Sequence, residues 1–229
     1  MLFIATPCTE MIHLPYHLSM IKLATHLEKN KIPFQYATLT DCNSQRSRAE
    51  LTTVFLKSNC EKMLFIDSDM EFAPEDVTKL YAHDYPIIGG TYTKRSMDWN
   101  KVSTAIKNED PKFKCHGQYT FQAKQNFAIQ GDIIEVQYAA TGFLMMKKSL
   151  IQKVIEANPE TVFNSEKVGT CHAIYDNIIK NGQYLSGDFS FCERIQRLNV
   201  PIHIDFSLKL NHVGFHTFPG DPTVCIRRT

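Results

Sequence analysis

The sequence predicts an α/β fold, with a mostly parallel sheet, flanking helices and a mixed C-terminal half. Three observations predict it. Short apolar runs alternate with amphipathic stretches from Leu2 to Tyr92, the pattern of strands joined by crossover helices. Hydrophobic residues make up 43% of the 229 and charged residues 21%, enough apolar surface for a real core. Polar and acidic residues follow several of the apolar runs, and open α/β sheets bind ligands at the carboxyl ends of their strands.

Taken in order, "LFIA" (Leu2 to Ala5) is a buried strand that runs into Thr6-Pro7. From Leu14 to Lys29, apolar residues at Leu14, Leu18, Ile21, Leu23, Ala24 and Leu27 fit one helix face. "IPFQYATL" is a second strand, closed by the polar loop "TDCNSQ" that contains Asp41. A helix follows over roughly Arg46 to Ser58, with Leu51, Val54 and Phe55 inward. "KMLFID" is the third strand. Pro74 opens a helix, "PEDVTKLYAH", with acids in its first turn as the helix dipole prefers. "YPIIGGTY" is the fourth strand.

Residues 92–135 are polar, with strand-like pieces and no long helix, and are expected to form hairpins or a mobile loop. "VQYAATGFLMMKK" is a strand region with a central glycine, Gly142. "SLIQKVIEA" and "DFSFCERIQRL" are short helices, the second with Phe189, Cys192, Ile195 and Leu198 or Gln196 at helical spacing. "PIHIDFSLKL" is a last strand, and "NHVGFHTFPGD" a histidine- and glycine-containing tail. No repeat or linker-like break is visible. The expectation is a single domain over 1–229, with a nucleotide-binding half (1–95) and an acceptor and metal-completing half (96–229).

Composition removes several classes of function. A formal net charge of +1 gives no field that would gather nucleic acid or an anionic membrane. The seven cysteines are odd in number and none forms a C-x-x-C pair, which disfavours a disulfide framework or a zinc ribbon and fits a reducing compartment. The first apolar run is too short for a signal peptide, and no stretch reaches the ~18 apolar residues of a membrane span. A soluble cytoplasmic protein is expected.

Four features carry chemistry. Asp67 and Asp69 end the third strand. Residues two apart in an extended stretch project to one side, so their carboxylates could share Mg²⁺ or Mn²⁺ with phosphate oxygens. The plain alternative is a solvated turn. Arg46 and Arg48 lie at a helix start, where both the dipole and the guanidinium favour anions, or they form a solvated face. Asp188 follows Gly187 at the start of a helix and would serve equally as an ordinary N-cap. His212 and His216 are four apart, but Gly214 between them argues against a helical ligand pair. Mn²⁺ accepts imidazole beside carboxylates.

Their order along the chain resembles the GT-A family of nucleotide-sugar glycosyltransferases, whose sheet is Rossmann-like. The matching segments are "SRAELTTVFLKSNCEKMLFIDSDMEFAPEDVTKL", "YPIIGGTY", "AATGFLMMKKSLI" and "YLSGDFSFCERIQRLNVPIHIDFSLKLNHVGFHTF". They lie between residues 47 and 218, and the resemblance extends over nearly the whole chain. Phe72 and Pro74 after the D-x-D, and the closing "KLNHVGFHTF", are the more specific parts. The resemblance is to the branch found in bacteria and large DNA viruses, in which a viral capsid-glycan enzyme would fall; the compartment would then be the host cytoplasm. The late helix of the family often begins Glu-Asp; here it begins Gly187-Asp188, which puts the acceptor contacts of the missing acid in question.

The resemblance implies transfer of a sugar from a nucleoside-diphosphate sugar, UDP-sugar favoured, to a hydroxyl of a glycan or glycoprotein acceptor. It implies Mn²⁺ or Mg²⁺ on Asp69 and His212 with Asp67 reaching the metal or the ribose. Thr6, Asp41, Arg48, Asp67, Ser68, Asp69 and Gly142 would form the donor site, and Asp188 would be the general base of an inverting reaction. Lys94 and Arg95, in "YTKRSMDWNK", would be lid residues over the donor. Two other readings fit a D-x-D at a strand end. A haloacid-dehalogenase-like phosphatase usually carries it on the first strand, before a small hydroxyl residue, whereas here Met70-Glu71 follow. A non-catalytic sugar-binding relic of the fold would not need Asp67, Asp69, Asp188 and His212 together.

Overall fold

The computed structural model describes residues 1–225, apart from 126, 128, 215, 216 and 218. Among these, the chain forms a mixed α/β fold with six α-helices around a nine-stranded central sheet. The strands are β1 (Leu2–Cys8), β2 (Phe34–Thr40), β3 (Lys62–Ile66), β4 (Met70–Glu71), β5 (Ile87–Gly90), β6 (Thr93–Met97), β7 (Gly117–Tyr119), β8 (Phe121–Ala123), β9 (Ile129–Gln130), β10 (Ile133–Ala139) and β11 (Phe143–Lys147). After them come β12 (Val162–Ser165), β13 (Gly169–His172), β14 (Ile179–Lys180), β15 (Gln183–Tyr184), β16 (Ile202–Asp205) and β17 (Asn211–His212). The helices are α1 (Leu14–Lys29), α2 (Ser44–Lys57), α3 (Pro74–Ala82), α4 (Trp99–Lys107), α5 (Lys148–Glu156) and α6 (Gly187–Gln196).

The sheet order is β2-β1-β3-β11-β5-β16-β10-β8, with β9 on β10. Strands β10 and β11 run against the rest. The register Leu2↔Lys62 and Ala5↔Phe65 aligns β1 with β3, and Cys8↔Thr40 aligns β1 with β2. Parallel neighbours deliver their following loops to one edge. Pro7–Thr9, Asp41 and Asp67–Asp69 therefore meet there.

Alternation along the strands builds two cores. Phe3, Ala5, Met63 and Phe65 face α2, α5 and α6, and pack with Phe55, Ile151 and Phe191. Leu2, Ile4, Leu64 and Ile66 face α1 and α3, and pack with Leu23, Leu27, Val77 and Leu80. A strand buried on both faces needs no polar alternation, which is why "LFIA" and "MLFI" read as unbroken apolar runs.

Four expectations are corrected. Leu14, Leu18 and Ile21 are exposed; α1 buries Tyr16, Ser19, Leu23 and Leu27 instead. Residues 92–135 hold the expected antiparallel pairings, β6 with β7 and β9 with β10, but also a nine-residue helix, α4, whose N-cap Asp98 accepts from the Lys101 N–H. It buries only Val102 and Ala105, too few apolar positions to show a period. The strand read over 201–210 is confined to β16, and Phe206, Leu208 and Leu210 are buried outside any strand. The inward positions of α6 are Phe191, Cys192 and Ile195, while Phe189 is half-buried and stacks on Tyr138.

No described helix is long and apolar enough to cross a membrane.

Candidate active site

The D-x-D lies between β3 and the short strand β4. Each acid has its own arginine. Arg48, on α2, donates from Nη2 to Asp67 Oδ1 at 2.8 Å and Oδ2 at 3.2 Å. Arg95, on β6, is ion-paired with Asp69 Oδ2. Charges this close are tolerated where opposite charge offsets their desolvation.

Arg48 is buried over the Phe65 ring, its guanidinium carbon 5.2 Å from the ring centroid. Burial opposes its charge, but the nearby Asp67 and Asp188 carboxylates outweigh it and raise the pKa above the ordinary value. Its Nη1 is buried with no hydrogen-bond partner among the described residues. Tyr92 shares this cluster. Burial, reinforced by Asp67 and Asp188, pushes its phenol well above the usual range.

Gly142 is required here by close approach. Its carbonyl accepts the Asp67 N–H at 2.9 Å. A Cβ at this position would run into the Tyr92 hydroxyl and the Asp67 carboxylate.

The C-terminal tail brings His212 to the D-x-D. β17 pairs with β4 through Asn211↔Glu71 and His212↔Met70. Asn211 Nδ2 donates to Glu71 at 3.0 Å, and the Val213 N–H donates to the Asp69 carbonyl at 2.8 Å. His212 Nδ1 lies 2.9 Å from the Thr93 carbonyl oxygen. A carbonyl only accepts, so Nδ1 carries the proton. Burial lowers the imidazole pKa, and Arg95 adds to this against the opposing Thr93 bond and Asp67. Nε2 then faces Asp69 Oδ2, 3.3 Å away. A charged imidazole bridged to Asp69 and a neutral ring with a free Nε2 lone pair share this geometry. Asp69 Oδ1 is buried and unpartnered among the described residues.

A cleft of about 240 Å³ is lined by Pro7, Cys8, Thr9, Asp41, Ser44, Arg48, Asp67, Ser68, Asp69 and Arg95. It gathers most of the donor residues expected from the sequence. Thr6 is one step removed, because its hydroxyl is fully buried against the Tyr16 hydroxyl at 2.6 Å. Asp41 receives Arg46 Nε and Nη2, both at 2.7 Å, and Lys167 Nζ at 3.3 Å. The Arg46 bond is the main reason its carboxyl is held well below the usual carboxylate range. Lys167, in the β12–β13 turn, also donates to the Thr40 carbonyl at 3.0 Å. Nothing in a lysine near a glycine marks it in the sequence as a partner of Asp41, 126 residues away.

Asp188 is not the cap of α6. Ser186 occupies the N-cap and accepts from the Phe189 N–H at 3.4 Å. The half-buried Asp188 instead accepts the Thr141 hydroxyl proton at Oδ1. Arg95 lies on β6 at Asp69, while Lys94 beside it is exposed. His216 lies outside the described residues.

No family model and no curated protein matches this chain. Solved structures do. A197 from STIV aligns with a TM-score of 0.52 and 16% identity, over 93% of this chain and 85% of that one. At that identity the likeness shows a shared fold. A UDP-glucose pyrophosphorylase complexed with UDP-glucose aligns over 91% of this chain and 92% of its own, with 9% identity and a TM-score of 0.47, too low to bear on the site.

Proposed function

We propose that this protein is a metal-dependent glycosyltransferase of GT-A type. In this reading it moves a sugar from a nucleoside-diphosphate sugar, UDP-sugar favoured, to an acceptor hydroxyl on a glycan or glycoprotein, with inversion. The observation that carries the reading is the convergence of Asp69 and His212, with Nδ1–H fixed on the Thr93 carbonyl and Nε2 turned toward the carboxylate. Histidines that bind metals characteristically donate their other N–H to such an acceptor.

The donor set fits Mn²⁺ or Mg²⁺. Asp69 offers a buried oxygen without a partner among the described residues, and His212 a nitrogen lone pair. Among the described residues, no group of three or more His, Cys, Asp and Glu side chains is gathered to hold a metal ion. A two-residue protein site suits a cation whose other ligands are diphosphate oxygens and water. When bound, the cation would offset the charge that develops on the leaving diphosphate.

The chain's own residues would do the rest. Asp67, held by Arg48, would meet the ribose or the metal. Asp41 and Ser68 would line the nucleotide, while Thr6, its hydroxyl buried against Tyr16, would lie behind them. Arg48 Nη1 is available to a phosphate or sugar oxygen. Asp188 would take the acceptor hydroxyl proton as the acceptor oxygen bonds to the anomeric carbon and the bond from that carbon to the diphosphate breaks. Such general-base help is typically worth ~10²–10⁴-fold.

Arg95 on Asp69 favours a second reading. The arginine already offsets the carboxylate, as a metal-free sugar-binding protein would require. Screening UDP-, GDP- and TDP-sugars by thermal shift with and without Mn²⁺, followed by assay of nucleoside-diphosphate release, decides between them. Mn²⁺-dependent stabilisation with turnover supports the enzyme. Stabilisation indifferent to Mn²⁺, without turnover, supports the binding protein.

A further inference from the structure

We infer that Thr141 is a positioning residue that sets the orientation of the Asp188 carboxylate. The inference rests on the glycosyl-transfer reading and extends it to a residue that touches no substrate in that reading.

Thr141 is fully buried in the turn between β10 and β11. Its hydroxyl donates to Asp188 Oδ1, the one side-chain hydrogen bond Asp188 accepts among the described residues. An oxygen bonded in this way is fixed in direction, and it leaves Oδ2 as the freer oxygen for an acceptor hydroxyl. Hydrogen bonds to charged acceptors are short and directional. General bases work only in a narrow geometry, and a supporting shell sets that geometry.

The turn is itself held on three sides. The Ala140 N–H donates to the Thr120 carbonyl at 3.0 Å. The Ala139 carbonyl accepts the Cys192 thiol at 3.3 Å, which ties the turn to the helix that carries Asp188. The Gly142 carbonyl accepts the Asp67 N–H at 2.9 Å. Consecutive residues of one short turn thus anchor the two acids assigned to opposite sides of the reaction, Thr141 the base and Gly142 the donor-side Asp67. Fixing both to one rigid turn sets their separation. The buried Arg48, hydrogen-bonded to Asp67, bears a charge that favours both carboxylates in their ionised form.

The alternative is that the Thr141 hydroxyl only satisfies a half-buried carboxylate and matters for folding alone. Thr141→Val removes the hydroxyl at nearly constant shape, Thr141→Ala removes it with a small void, and Thr141→Ser keeps it. The assay is Mn²⁺-supported release of nucleoside diphosphate, with water as acceptor, from the nucleotide sugar that the thermal-shift screen selects. Thr141→Val should lower kcat by on the order of 10- to 100-fold, with donor Kd and melting temperature near wild type, and Thr141→Ser should recover most of the loss. If Thr141→Val does not fold, Thr141→Ala is read against Thr141→Ser in the same way. In an Asp188→Asn background Thr141→Val should cost nothing more, because residues that act as a unit are not additive. A full loss in that background as well, or wild-type kcat in Thr141→Val beside an inactive Asp188→Asn, overturns the inference and leaves the base reading standing. Full activity in Asp188→Asn removes the base reading first. Absence of turnover of every nucleotide sugar removes the transferase reading and this inference with it.

Discussion

His212 Nε2 stands 3.3 Å from Asp69 Oδ2, although 143 residues separate them. The pairing of β17 with β4 brings them together, and the Thr93 carbonyl fixes which nitrogen faces the acid. The first prediction follows. His212→Ala should weaken Mn²⁺-dependent UDP-sugar binding by about 10- to 100-fold, and more than His216→Ala does. Asp69→Ala should abolish it, and EDTA should reproduce the effect in wild type. Calorimetric titration checks the ranking, and the reverse order would move the metal ligand to His216.

Arg95 competes with a cation for Asp69. Its side chain is half exposed and its pair with Asp69 is screened by water. Arg95→Ala should therefore raise Mn²⁺ affinity modestly, by about two- to five-fold, if the arginine only occupies the site. A loss of donor binding at unchanged metal affinity would instead make Arg95 a phosphate contact.

Arg48 holds Asp67 from a buried position. Breaking a buried pair by removing one partner costs about 3–5 kcal/mol, and Asp67 is partly exposed, so the lower end applies. Arg48→Met should show this loss in urea denaturation. Adding Asp67→Leu should recover a good part of it, since no unpaired charge then remains. A double variant no more stable than Arg48→Met would show that the pair is not the source of the stability.

Asp188 and Ser186 separate by function. Ser186 caps α6, so Ser186→Ala should cost about 1 kcal/mol of stability. Asp188→Asn preserves size and helix and removes basicity. It should keep melting temperature and donor Kd while transfer falls on the order of 10²-fold or more. Measuring Kd and rate on one preparation checks it, and near-normal turnover would remove Asp188 as base.

Asp41 supplies a pH dependence of stability. Its folded-state pKa is depressed, chiefly by the Arg46 hydrogen bonds. A depressed carboxylate stabilises the fold above its unfolded pKa, about 4, and that stability is lost as pH falls from there toward the folded pKa. Urea stability of wild type should therefore drop more steeply below about pH 4 than that of Asp41→Asn. Parallel slopes in the two proteins would exclude Asp41 as a contributor.

Much of the fold was legible in the residues themselves. Unbroken apolar runs at Leu2–Ala5 and Met63–Ile66 encode strands covered on both faces, and Leu14–Lys29 encodes a helix whose limits the structure reproduces. The edge on which Asp41, Asp67 and Asp69 meet follows from strand-helix alternation, because parallel strands share a carboxyl end. These are consequences of local pattern and chain connectivity. Which face of α1 is buried, by contrast, was decided by its neighbours. Apolar spacing marked Leu14, Leu18 and Ile21, but Tyr16 reaches Thr6 on the neighbouring strand β1 and Ser19 reaches the Phe72 N–H, 53 residues on. Tertiary structure alone decided the compensation of the two acids by Arg48 and Arg95, the insertion of β11 between β3 and β5, the approach of His212 to Asp69, and the Thr141 bond that takes Asp188 out of capping. Each is a contact between segments whose local patterns are satisfied equally well apart. Periodicity records what a residue needs from its neighbours in sequence, while charge pairing and side-chain hydrogen bonds depend on which distant segment the fold brings within about 3 Å.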